Sequence, residues 1–177
     1  VMDTLGIGYT HNISAQELQT NIPVERPQTL SAAERDAVIR TIAAEAGGES
    51  AEGQIAVANV IRNRMEDPRY PASAEEVVRQ PNQFSAWNDP ANGGNSIGQS
   101  LDPNSEEYRE IGTRVDQVMS GHMMDNTSGA THYYAPSGMG QSAPPDWFAD
   151  ETNARDSNLA PTIGNHVFTG QKQGGTS

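Results

Sequence analysis

Between residues 31 and 66 the apolar positions recur at three- and four-residue steps, interrupted once by a pair of glycines. Ala37, Val38, Ile42 and Ala46 share one side of a helix that opens at Ser31-Ala32-Ala33-Glu34. That opening is a capping box: the Ser hydroxyl serves the amide three residues on and the Glu side chain returns the bond. Gly47-Gly48 ends the helix, since glycine tolerates the left-handed conformation of a C-terminal cap and weakens a helix interior. Ser50 caps a second helix, with Glu52 in its first turn, running through Ile55, Ala56, Val57, Ala58, Val60 and Ile61 to about Met65. This second helix is apolar on more than one face and is the expected central buried helix. Arg62, Asn63 and Arg64 suit its C-terminus.

Downstream the pattern is less regular. Asp67-Pro68 marks a turn, and Ser73-Ala74-Glu75-Glu76 opens a short helix that ends near Gln80-Pro81. Residues 88 to 104, rich in Asn, Gly, Pro and Ser, form a loop. A further helix starts at Asn104 or Ser105, with Tyr108, Ile111, Val115, Val118 and Met119 on one face and Gly121 at its end. Residues 130–136 and 162–168 have strand character. Between them lies a long loop carrying Pro144-Pro145-Asp146-Trp147-Phe148. Antiparallel pairing of the two strands would bring His132 and His166 together if the register allows. Residues 1–30, which lack a period and include Pro23 and Pro27, read as an extended arm or linker; an arm that holds a partner in an assembly, such as a virion, would look the same. Residues 171–177 read as a flexible tail, which leaves one domain at 31–170. The fold class is α+β, mainly helical with a small antiparallel sheet.

Composition narrows the function. The chain has 177 residues, a formal net charge of -12 and a sequence pI near 4.6, which argues against binding nucleic acid through phosphates. It has no cysteine, which excludes a thiolate nucleophile and a disulfide scaffold. No apolar run is long enough to span a membrane, and the chain as given shows no signal peptide.

The chemistry concentrates at Glu45-Ala46-Gly47-Gly48-Glu49. Glu45 lies three residues after Ile42, on the inner side of its helix, where an acid/base catalyst for glycosidic cleavage could sit. Glu49 is the candidate second carboxylate; equally, it could serve the start of the next helix. Gln83, Phe84, Ser85 and Trp87 combine aromatics with amide and hydroxyl groups, the mixture a sugar face and its hydroxyls call for, although Phe84 and Trp87 could instead anchor a loop. His132 and Tyr133 are further candidates for a groove. The four histidines, at 11, 122, 132 and 166, lack zinc-protease spacing, and there is no Gly-x-Ser-x-Gly elbow. A spatial site of His132, His166 and Glu45 stays open. No cofactor or metal is expected.

The segments RTIAAEAGGESAEGQIAVANVIRNRM, QFSAW, GATHYYAP, PDWF and IGNHVFTG, in that order, resemble the SleB/CwlJ-type cell-wall hydrolases, the group that includes spore-cortex-lytic enzymes. The resemblance implies a mainly helical, lysozyme-like domain acting on peptidoglycan glycan strands at the bacterial wall; the acidic charge and the first thirty residues are also compatible with a phage-particle component in which such a domain degrades or only binds the wall. The resemblance also maps the catalytic Glu onto Glu45. It implies cleavage between N-acetylmuramic acid and N-acetylglucosamine, often by lytic transglycosylation, with Glu49 in support and Gln83, Phe84, Ser85, His132 and Tyr133 lining the groove. Some members have been labelled N-acetylmuramoyl-L-alanine amidases. Relatives usually carry Arg within the Glu-Ala-x-Gly-Glu element, where this chain has Gly47.

Overall fold

The computed structural model describes residues 23–81, 83–92, 94–135 and 161–173. Among the described residues four α-helices precede a small sheet: α1 (Ala32–Ala46), α2 (Ala51–Glu66), α3 (Ala74–Val78) and α4 (Glu106–Met119), then β1 (His132–Tyr134), β2 (Thr162–Ile163) and β3 (His166–Thr169). Each helix starts on a serine. The Ser31, Ser50, Ser73 and Ser105 side chains accept the amides of Glu34, Gly53, Glu76 and Tyr108, and at Ser31 the reciprocal bond from Glu34 completes the box. Each such cap stabilises its helix by about 1 kcal/mol.

Helix α2 is buried on every side, as its apolar run predicts, and packs against α1, α3 and α4 and touches β2. The main core joins Val38, Ile39 and Ile42 of α1 to Val57 and Ile61 of α2, Val77 and Val78 of α3, Ile111, Val115 and Val118 of α4, and Phe84. A second cluster, Ala56, Val60, Ala130 and Phe168, fixes the sheet to the far side of α2. Among the described residues no helix is long and apolar enough to cross a membrane.

The end of α1 departs from expectation. Gly47 is right-handed, with φ -59° and ψ -33°, and Gly48 is absent from the residues with positive φ. The glycines therefore interrupt the helix without a left-handed cap. The Glu49 amide turns back to the Ala46 carbonyl, and Ser50 starts the next helix. A Cβ at Gly47 would stand 2.4 Å from the Ala43 carbonyl oxygen, so this backbone leaves no room for a side chain there.

Arg62, Asn63 and Arg64 do more than suit a helix end: they are 0%, 0% and 4% exposed. Asn63 donates to Asp125 and to the Ala130 carbonyl, and Arg64 to the Thr131 carbonyl and Gln83. Buried polar groups need such partners. Here those partners fix the course of the chain from α4 into β1.

The expected strand at 162–168 is a hairpin, broken at Gly164-Asn165, and among the described residues the sheet has three antiparallel strands in the order β1-β3-β2. Gly164 supplies φ +58° at the first central position of the two-residue turn, where a type II′ turn requires it. In the β1–β3 register His132 faces Thr169 and Tyr133 faces Phe168. Because side chains alternate across a strand, Tyr133, His166 and Phe168 share one face and His132 takes the other. The two histidines do not meet.

At the N-terminal side, Val24 and Glu25 donate to the Gly121 carbonyl and Gln28 to that of Met119, so this part of the expected arm lies along the end of α4. At the other end, the amides of Lys172 and Gln173 donate to the Gly129 carbonyl and to Asp67. The Pro144–Phe148 stretch and residues 1–22 fall outside the described residues.

Candidate active site

Glu45 stands in the last turn of α1, partly buried, with both carboxylate oxygens held. Oε1 accepts the Ser85 backbone N–H and the Ser85 hydroxyl, each at 2.7 Å, and Oε2 accepts the Tyr133 hydroxyl at 3.0 Å. The Glu45 carboxylate is thus held by groups 40 and 88 residues away in the sequence.

The segment carrying Ser85 is bound to α1 from several directions. Phe84, 1% exposed, sits in the core beneath the Arg64 guanidinium. Trp87 donates from Nε1 to Thr41, one turn before Glu45 on α1. The Asn95 amide holds the Ser85 carbonyl, while its side chain donates to the Ala44 carbonyl. Arg40 gathers the carbonyls of Gly98, Gln99 and Leu101, which draws the expected 88–104 loop onto the same helix.

Tyr133 comes from β1 and is wedged between His166, at 5.0 Å between ring centroids, and Phe168 at 5.5 Å. Burial, followed by the Glu45 charge and their hydrogen bond, pushes its hydroxyl well above the ordinary tyrosine range. It stays a neutral donor.

Glu45 and Glu49 line one open cleft of about 350 Å³, together with Ala43, Ala44, Ala46, Gly47, Gly48, Ile97, Glu107 and Asn165. Glu49 accepts Asn165 Nδ2 at 3.0 Å and has His166 Nδ1 at 3.6 Å from the same oxygen. Among the described residues no group of His, Asp and Glu has the makings of a metal site.

Of the residues singled out in the sequence, Glu45, Ser85 and Tyr133 meet directly, and Glu49 lines the same cleft as Glu45. Gln83 is exposed beside Ser85, its side-chain oxygen Oε1 accepting from Arg64. Phe84 is withdrawn from any groove and acts as the loop anchor. His132 lies on the other sheet face, against Thr131 and Tyr70, so His132, His166 and Glu45 do not form one site. Asn165 and His166 were missed as neighbours of Glu49. The signal was present, since Gly-Asn between strand-forming residues is a two-residue hairpin turn.

With this geometry the chain falls into a known group: residues 48–169 match the model of the cell wall hydrolase family, and the chain belongs to it. It is 30% identical over 158 residues to the spore cortex-lytic enzyme of Halalkalibacterium halodurans, a match spanning 87% of this chain and 40% of that protein. The chain thus covers less than half the length of this curated relative. The catalytic domain of the Bacillus cereus SleB protein is 27% identical with a TM-score of 0.58, over 85% of this chain and 97% of that one. The catalytic domain of the germination-specific lytic transglycosylase SleB from Bacillus anthracis is 26% identical, also with a TM-score of 0.58, over 82% of this chain and 100% of that one. The fold is that of these domains, mainly helical with a small sheet. The family match contains Glu49, Ser85, Tyr133 and His166, and begins just after Glu45.

Proposed function

We propose that this chain degrades peptidoglycan by cutting the glycosidic bond between N-acetylmuramic acid and N-acetylglucosamine, as a lytic transglycosylase with Glu45 as acid and then base. The observation that carries the reading is the holding of the Glu45 carboxyl group by Ser85 and Tyr133, in a residue that lines an open cleft. Two of its three donors are hydroxyls, which donate to a carboxylate and, once rotated, accept from a carboxylic acid. The cradle thus suits a group that gives up a proton and takes one back.

In the reaction, protonated Glu45 passes its proton to the leaving glycosidic oxygen as the bond to C1 of the muramic sugar breaks. The C6 hydroxyl of that sugar then bonds to C1, and its proton returns to Glu45. The product carries a 1,6-anhydro end, with no water consumed. Glu49 supports from across the cleft, Gln83, Ser85 and Tyr133 border the path of the glycan, and the site of action is the bacterial wall. The name of the Bacillus anthracis relative, a lytic transglycosylase, supports this choice.

A second reading keeps the bond but uses water, with Glu49 as the second carboxylate that hydrolysis requires. It is favoured by one observation, that Glu49 lines the cleft of Glu45. Mass spectrometry of fragments released from purified walls separates the readings: anhydro-muramyl ends mean transglycosylation and reducing ends mean hydrolysis. Free stem peptides on uncut glycan would mean an amidase, and binding without release would mean a wall-binding component of some larger assembly. Glu45→Gln should lower fragment release by about a hundred-fold or more, the scale of a lost general acid, with its thermal unfolding unchanged. Retained release sinks the assignment.

A further inference from the structure

We infer that the turn joining β2 to β3 is part of the active site, with Asn165 and His166 as positioning residues that hold Glu49 in the cleft. The inference rests on the cleft being the site proposed above. Three consecutive residues close on one carboxylate. At Gly164, whose φ of +58° favours glycine, the backbone comes so near that a Cβ would lie 2.4 Å from Glu49 Oε2, and the carboxylate would have to move to admit it. Asn165 donates from Nδ2 to Oε1 at 3.0 Å. His166 presents Nδ1 to the same oxygen at 3.6 Å.

The histidine is the informative member. It is 8% exposed, and Nδ1 is fully buried without a hydrogen-bond partner. A buried ring nitrogen in that state is costly, and a contraction of a few tenths of an ångström toward Glu49 turns the contact into a hydrogen bond. The rest of the ring stands edge-on to Tyr133, at an interplanar angle of 85°, and the Tyr133 hydroxyl holds Glu45. His166 therefore touches the support of one carboxylate with its ring and the other carboxylate with its nitrogen. It sets the two relative to each other across the cleft.

The test uses the intact chain. His166→Phe keeps a ring against Tyr133 and Phe168 and removes Nδ1; Asn165→Ala removes an exposed side chain and leaves the core alone. Kinetics of fragment release should show kcat lowered about ten-fold for His166→Phe with KM little changed, as a misplaced catalytic group costs rate before it costs binding. Asn165→Ala should lower kcat several-fold, and is the variant that decides if His166→Phe does not fold. Independently of activity, the histidine side-chain nitrogen NMR spectrum should show hydrogen on His166 Nδ1, and Glu49→Gln should move that resonance. Wild-type kcat in both turn variants, or an Nδ1 resonance indifferent to Glu49→Gln, overturns the inference. If instead Glu45→Gln stays active while the resonance responds to Glu49→Gln, the functional reading fails and the coupling of His166 to Glu49 stands.

Discussion

Ser85 holds one oxygen of Glu45 twice, with its backbone N–H and its hydroxyl each 2.7 Å from Oε1, across 40 residues of sequence. The two donors differ in kind: the N–H is fixed by the backbone and survives any side-chain change except proline, whereas the hydroxyl can rotate. Ser85→Ala should leave Glu45 in place on one donor fewer. A hydrogen bond to a charged group contributes about 1.5–3 kcal/mol, so kcat should fall roughly ten-fold or more with KM nearly constant. The measurement is the rate of fragment release from walls at saturating substrate. Unchanged kcat would show that the backbone donor alone orients the group.

Tyr133→Phe tests the other oxygen. The ring stays packed on Phe168 and His166 and only the bond to Oε2 is lost. A kcat loss of roughly ten-fold is expected on the same grounds. Because burial and then the Glu45 charge keep this hydroxyl protonated well above its ordinary value of 10.0, the wild-type pH–rate profile should have no limb that Tyr133→Phe removes below that pH. A limb lost in the variant would show that the tyrosine titrates in the working range.

The helices were legible because their signals are local. Ser31 and Glu34, or Ser50 and Gly53, lie within one turn of each other, and the step from Ile42 to Glu45 follows from helix geometry. The partners of Glu45 were not legible in that way. Ser85 and Tyr133 could be suspected as sugar-binding types, but nothing in a stretch of polar and aromatic residues says that Phe84 turns into the core so that Ser85 turns to α1. Arg62, Asn63 and Arg64 misled for a related reason: at a helix end a cation complements the dipole whether or not it is buried, and only the returning chain at 125–131 shows which. The 162–168 stretch is strand-forming on both sides of Gly164-Asn165, so the turn signal was outweighed by its neighbours. The break matters most, since it places Asn165 and His166 on Glu49.

Asp67, 1% exposed, gives the fold a pH dependence of its own. Burial would raise its pKa, but the Arg69 side chain and amide and the Gln173 amide outweigh that and hold it at about 2, below an ordinary 3.8. A carboxyl depressed on folding stabilises the protein above its unfolded pKa and loses that contribution as pH falls through the folded value. The fold should therefore keep this contribution down to about pH 4 and lose it between about pH 4 and 2, by roughly 2 kcal/mol. Asp67→Asn should lower stability at pH 7 and flatten that acid limb in urea unfolding followed from pH 7 to 2. An equally steep limb in the variant would move the cause to other carboxylates.

The segment before α1 is expected to stabilise the domain through one buried cation. Arg62, 0% exposed, makes a 3.3 Å bond to the Val118 carbonyl, while its Nε and Nη2 have no hydrogen-bond partner. Its nearest counter-charges are Glu25 at 3.6 Å and Asp125 at 3.9 Å. Glu25 also receives the Asp125 amide, so it fixes that loop as well as facing the guanidinium. Removing one partner from a buried ion pair costs about 3–5 kcal/mol, and with Asp125 remaining the cost of Glu25→Ala should be nearer 1–3 kcal/mol. At about 2–4 °C per kcal/mol for a chain of this size, that is a fall in Tm of several degrees. A chain started at residue 31, where periodicity alone would set the domain boundary, also loses the backbone bonds of Val24, Glu25 and Gln28. It should therefore unfold lower than Glu25→Ala. Thermal unfolding of both variants checks the order, and equal Tm values for wild type and the shortened chain would show that Arg62 is stabilised without the preceding segment.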